Sequence, residues 1–175
     1  MAPEFDSRRS SEFERIFLPY LDVAYKLAHF LMRNAEDAED VVQESYLKAL
    51  RGFRHLRGDA SRAWLLAIVR NTCFSLLVRN QRHRSATKSP DEEIPTPGIS
   101  PEEELLARER SGVLRQCMDE LPDVFREVLV LREMQDLSYD EIAKITGTPA
   151  GTVMSRLARA RSRLASCLCR KKEAR

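Results

Sequence analysis

Apolar residues recur along this chain at steps of three and four, and strict alternation is nearly absent. Phe13, Phe17, Tyr20, Ala24, Leu27 and Leu31 line one face of a predicted first helix. Ala38, Val42, Tyr46, Ala49 and Phe53 do the same for a second, expected from Ala35 to about Phe53. Gly52 and Gly58 bracket a loop, after which Asp59 or Ser61 caps a third helix carrying Trp64, Leu65, Ile68, Thr72 and Leu76. The spacing of Trp64 and Ile68 assigns the indole to the core. A fourth helix is expected around Leu105 to Leu121, stopped near Pro122, and a fifth carries Phe125, Val128, Leu129 and Arg132. The expected fold class is all-α.

Two further helices carry a sharper local signal. Ser138-Tyr-Asp-Glu141 is a capping box, in which serine and glutamate satisfy each other's orphan amides at a helix start. Ile142, Ala143 and Ile145 give that short helix its buried side, and Gly147 supplies the turn. Thr148-Pro149 restarts a helix, proline suiting its first position. Val153, Leu157, Ala160 and Leu164 then point inward, leaving Thr152, Met154, Ser155, Arg156, Ala158 and Arg159 towards solvent. A capped short helix, a tight turn and a basic helix form the helix-turn-helix pattern. The competing reading is a plain helical hairpin with a solvated Arg-rich face.

Between the two helical sets, residues 85–101 read SATKSPDEEIPTPGISP and hold four of the chain's eight prolines. Almost no large apolar side chain is available there to build a core, so an extended tether is expected, reaching roughly 56 Å. The chain then divides into a helical domain over 10–84, a Pro-rich linker over 85–101 and a helix-turn-helix domain over 102–170.

The formal net charge of +2 conceals an asymmetry. Residues 1–85 carry 14 basic and 11 acidic side chains, 86–113 carry 3 and 7, and 114–175 carry 12 and 9. Between Glu141 and Glu173 there is no acid, only Lys144, Arg156, Arg159, Arg161, Arg163, Arg170, Lys171 and Lys172. Ala60 to Pro90 is acid-free as well, with six basic residues. Two basic surfaces flanking an acidic connector suit a polyanion binder with two contact points. The start of the basic helix would enter a major groove, with Met154, Ser155 and Arg159 near base edges. Arg156, Arg161, Arg163 and the Lys171–Lys172 pair suit phosphates. Against this stands a cluster of acids, Glu36, Asp37, Glu39, Asp40 and Glu44, of which Asp37, Asp40 and Glu44 share a helix face. That face would repel phosphate; helix-dipole compensation and a docking surface for a basic partner both remain open.

Other classes fall away. Six glycines exclude a collagenous chain and disfavour a β-rich one. The longest apolar run, Ala63 to Val69, is too short for a bilayer, and Glu4, Asp6, Arg8 and Arg9 replace the apolar block of a signal peptide. A soluble, intracellular chain is expected. Cys167 and Cys169 stand close together, but His29, His55 and His83 lie far off in sequence and structural zinc wants four ligands. Cys73, Cys117, Cys167 and Cys169 are therefore expected as reduced thiols, with no metal. No nucleophile–base pair or phosphate loop emerges, so neither catalysis nor a cofactor is expected.

Five stretches, in order, resemble the extracytoplasmic-function group of the sigma-70 family. They are DAEDVVQESYLKA over 37–49, AWLLAIVRN over 63–71, Leu121-Pro122, LSYDEIA over 137–143 and GTVMSRLARAR over 151–161. The resemblance implies a transcription-initiation subunit. Asp37, Asp40, Gln43 and Glu44 would dock on the β′ clamp helices of core RNA polymerase. Arg54, His55, Arg57, Asn71 and Arg79 would read and open the −10 promoter element, a loop over His55 to Ser61 capturing an extruded base, with Phe53 and His55 as stacking candidates. Thr152, Met154, Ser155, Arg156, Arg159 and Arg163 would read the −35 element. Two positions depart from the family pattern: Ser75 stands where the family often has an acidic residue, and Met154 where many relatives carry a basic residue that contacts DNA. The implied partners are core polymerase, promoter DNA and an anti-sigma protein, in the bacterial cytoplasm. The alternative is a stand-alone helix-turn-helix regulator, which has little use for the acidic face.

Overall fold

The computed structural model describes residues 7–53, 61–81 and 111–173, and every regular element among them is helical. The first apolar stripe is buried as expected at Phe13, Phe17, Ala24, Leu27 and Leu31. It is not one rod, however. Helix α1 (Ser7–Phe17) gives way to a 3-10 turn over Leu18–Tyr20 before α2 (Leu21–Met32). Pro19, which has no N–H to donate, sits in that turn. α2 ends on Arg33, whose left-handed φ of 66° turns the chain at once into Asn34, the cap of α3 (Ala35–Gly52). Gly52, the last residue of α3, lies against Trp64: a Cβ there would stand 3.2 Å from the indole Cζ2. The indole packs 5.7 Å from the Phe17 ring, in the core as its spacing indicated.

α4 (Ser61–Gln81) has no single polar face because it is covered from two sides. Leu65, Leu66, Val69, Thr72 and Cys73 are buried, with α2 and α3 packed on one flank and the helix over Tyr139–Thr146 on the other. The expected caps and turn at Gly58 and Asp59 lie outside the described residues.

In the second half, α5 covers residues 111–119 of the helix expected over 105–121. Its carbonyl end is sealed by a side chain from the next helix. The guanidinium of Arg126, fully buried, donates to Met118 O at 2.8 Å, Asp119 O at 3.1 Å and Leu121 O at 2.5 Å. The last four carbonyls of a helix have no partner within it, which is what makes a buried arginine tolerable here. α6 (Asp123–Leu129) runs on as a π-helical turn over Val130–Met134. α7 (Tyr139–Thr146) and α8 (Ala150–Glu173) complete the chain, α8 starting one residue beyond Pro149.

The two sets of helices are two small helical domains whose buried side chains meet in one core. α2 packs on α6, and α4 on α7. The cysteines correct an expectation. Cys117 of α5 and Cys167 of α8 are joined as a disulfide, their Cα atoms 5.7 Å apart. Fifty residues separate them in sequence, and only the packing of α5 on the far end of α8 brings them within bonding range. Cys73 and Cys169 are free; burial pushes the Cys73 thiol up to about 12.

Candidate nucleic-acid interface

The α7–turn–α8 unit is built by the residues that marked it. Ser138 Oγ accepts from Glu141 N at 3.3 Å, and Glu141 Oε2 accepts from Ser138 N at 2.8 Å and from its hydroxyl at 2.7 Å. These bonds hold the Glu141 carboxyl below its ordinary value. Gly147, at φ +65°, takes the left-handed conformation that ends α7, and Thr148 N reaches back to Ala143 O at 3.1 Å. α8 then presents Met154, half exposed, with Ser155 and Arg159 also open to solvent. Ser155 donates its hydroxyl to Thr152 O at 2.9 Å, so its lone pairs stay available.

Other expected readers are placed less simply. Thr152 and Arg156 are half-buried rather than solvent-facing. Arg163 stacks 5.1 Å over the Phe125 ring, and the two line a shallow open groove with Ala158, Arg159 and Ser162. Arg161 is already engaged by Glu133 through two bonds of 3.0 and 2.6 Å. Arg170 and Lys171 hold Glu120 at 2.6 and 3.3 Å. The basic run is thus partly neutralised on one flank and free at its start.

On α4, Asn71 and Arg79 are exposed, and Asn71 Oδ1 accepts from Arg70 at 3.1 Å. Ser75, in place of an acid, donates to Asn71 O at 2.8 Å. Arg54, His55 and Arg57, with most of the His55–Ser61 loop, lie outside the described residues. Phe53 is a correction: its ring packs 5.7 Å from Phe13 and 5.9 Å from Phe17, committed to the core rather than to a base. The acid-free stretch is corrected too. Arg62 and Arg70 turn towards the C-terminal half instead of forming an outer basic surface, Arg62 donating to Gln135 O at 2.6 Å and Arg70 pairing with Glu127.

The acidic face of α3 is graded. Asp37 accepts from Asn34 Nδ2 at 2.7 Å while its own amide is capped by Asn34 Oδ1 at 2.7 Å. Asp40 and Gln43 are exposed, and Glu44 pairs with Lys48 at 2.8 Å at the surface. Among the described residues no cluster of three or more His, Cys, Asp or Glu could hold a metal, and no helix is long and apolar enough to cross a membrane.

Sequence reasoning missed Arg126, Glu127 and their partners. The trace was there: a charged pair, Arg126-Glu127, set directly before the apolar run Val128–Leu131.

Two family patterns match, that described as Sigma-70 region 2 over residues 16–83 and that described as Sigma-70, region 4 over residues 111–164. The RNA polymerase sigma-H factor of Pseudomonas aeruginosa is 32% identical over 89% of this chain and 86% of its own. RNA polymerase sigma factor YlaC of Bacillus subtilis is 32% identical over 92% of both chains. Among solved structures, the sigma factor RpoE in complex with the anti-sigma factor NepR, from Bartonella quintana, superposes with a TM-score of 0.75 at 26% identity, over 90% of this chain and 96% of that one. The chain belongs to the sigma-70 family, in its extracytoplasmic-function group, and is an RNA polymerase sigma factor.

Proposed function

We propose that residues 10–84 dock on core polymerase and read the −10 element, that 85–101 tether, and that 102–170 read the −35 element, all in the bacterial cytoplasm. Asp40, Gln43 and Glu44 meet the β′ clamp helices, with Asp37 adding charge beside them while its carboxylate stays on Asn34. Asn71 and Arg79 take the −10 strand together with Arg54, His55 and Arg57. Thr152, Met154, Ser155, Arg156, Arg159 and Arg163 face the −35 major groove. The protein is not an enzyme: extruding a base costs a few kcal/mol, offset by contacts made only to the separated strand. An anti-sigma partner is proposed by likeness to RpoE, which was solved with one.

One observation carries this reading, the segregation of charge between two exposed helix faces. The first turns of α8 present no acid, and the open side of α3 from Glu36 to Glu44 presents acids and Gln43 alone. The test is run-off transcription with sigma-free core polymerase and a promoter library. Sequence-selective transcripts that depend on this chain are expected. Tight, specific DNA binding without polymerase, and no transcripts, would identify a stand-alone regulator instead. Reversing Asp40 and Glu44 to lysine should abolish holoenzyme assembly; intact assembly would remove α3 as the docking face.

A further inference from the structure

The outward face of α8 is less basic than its sequence. Residues three and four apart on a helix share a face. The stripe opposite the buried Val153, Leu157 and Ala160 is Gly151, Met154, Ser155, Ala158, Arg159 and Ser162, all exposed. Arg159 is its one charge. The other arginines stand at its edges: Arg156 is half-buried, Arg161 is held by Glu133, and Arg163 stacks on Phe125. Arginines so placed suit the phosphates that wall a groove, and the floor between them is left to other chemistry.

Met154 is 50% exposed, while its neighbours Val153 and Leu157 fill the core without it. It has no N–H or O–H to offer guanine, whose major-groove edge is two acceptors. Its thioether arm, with the Ala158 methyl one turn on, suits the one methyl that the groove floor carries, C5 of thymine. Ser155 is committed by its own backbone. Its single hydroxyl hydrogen goes to Thr152 O at 2.9 Å, so outwardly it can only accept. The major-groove donors are the exocyclic amines of adenine and cytosine. An adenine–thymine pair shows a methyl and an amine on the same edge, and Met154 and Ser155 are adjacent, their Cα atoms about 3.8 Å apart against a base step of about 3.4 Å. Arg159 follows four residues later, about 6 Å along the axis or roughly two base steps, where its fork suits guanine.

Resting on the function proposed above, we propose that Met154 and Ser155 set base preference within the −35 element. Met154 reads the methyl of a thymine. Ser155, fixed as an acceptor by Thr152, reads the amine of an adenine in the same or the adjoining pair.

The test pairs single base groups with single side chains. Holoenzyme is titrated with promoter fragments carrying the −35 sequence that it prefers in a library. In these fragments thymine is replaced one position at a time by uracil, which keeps the pairing and lacks the methyl. At one position uracil should weaken wild-type binding about fourfold, the worth of one buried methyl. Met154→Ala holoenzyme should bind the thymine and uracil fragments equally there. In the same or the next pair, 2-aminopurine for adenine keeps the pairing with thymine but removes the major-groove amine. It should weaken wild-type binding about fivefold, and Ser155→Ala holoenzyme should not respond to it. Met154→Arg should exchange the thymine preference for guanine. Both side chains are exposed, and helical circular dichroism checks that each variant folds as the wild type does.

A wild-type holoenzyme indifferent to uracil at every −35 position overturns the methyl contact, as does an unchanged thymine-to-uracil ratio in Met154→Ala. Ser155→Ala that still responds to 2-aminopurine overturns the amine contact. Failure of the underlying reading would look different: no −35 substitution, natural or modified, would change the affinity of any of these proteins.

Discussion

Arg159 and Arg161 stand two residues apart on α8 and have different partners. Arg159 is open beside the groove floored by Phe125, whereas Arg161 is fixed by Glu133 at 2.6 and 3.0 Å. Arg159→Ala should therefore alter preference at the −35 element, costing about 1–3 kcal/mol on the favoured base. Arg163→Ala should weaken binding on all sequences alike and lower the salt slope by about one, while Arg161→Ala should leave that slope nearly unchanged. Titrations of holoenzyme on promoter fragments at several salt concentrations measure all three, and a uniform loss for Arg159→Ala would remove it as a base reader. The sequence displays the charge run plainly, but not which of its members are free. Glu133 lies 28 residues from Arg161, and Glu120 fully 50 from Arg170, so the pairing exists only once the helices pack.

At the scale of elements, local chemistry is legible where it acts over a few residues. Ser138 and Glu141 define the start of α7, Gly147 its end, and Asn34 the start of α3. Ser138→Ala should cost about 0.5–2 kcal/mol, seen as a lower denaturant midpoint for the C-terminal domain. The acid dependence has a definite sign. Ser138 holds the Glu141 carboxyl below its ordinary 4.5, so this contribution is complete above that pH and is lost as pH falls through the depressed value. Melting profiles of wild type and Ser138→Ala should therefore converge in acid; a gap that is constant with pH would remove Glu141 from the account. Two element-level features were less legible. The apolar stripe from Phe13 to Leu31 suggested one helix, although Pro19 within it marks the break. The cap of α5 is supplied by Arg126, a residue that reads as an ordinary surface charge until its carbonyl partners are known.

For the molecule as a whole, the Pro-rich segment suggests two independent modules, yet the two domains share a core and a seam of arginine contacts. Periodicity reports which side of a helix is buried, not what buries it. That is why the double coverage of α4 showed only as a lack of polar face. The disulfide is non-local in the same way, closing a loop across 50 residues. Constraining a loop of that size in the unfolded chain is worth about 2–4 kcal/mol. Its position decides what its loss should change. Cys167 lies about 20 Å along α8 from Met154, at 1.5 Å per residue, so the base-reading end does not depend on it directly. Reduction should lower the unfolding midpoint of the C-terminal domain while leaving −35 preference intact, and Cys167→Ser should match the reduced wild type. If reductant leaves the wild-type midpoint where it was, α5 and α8 are held by packing alone; if it changes base preference, the far end of α8 is coupled to its start through the helix.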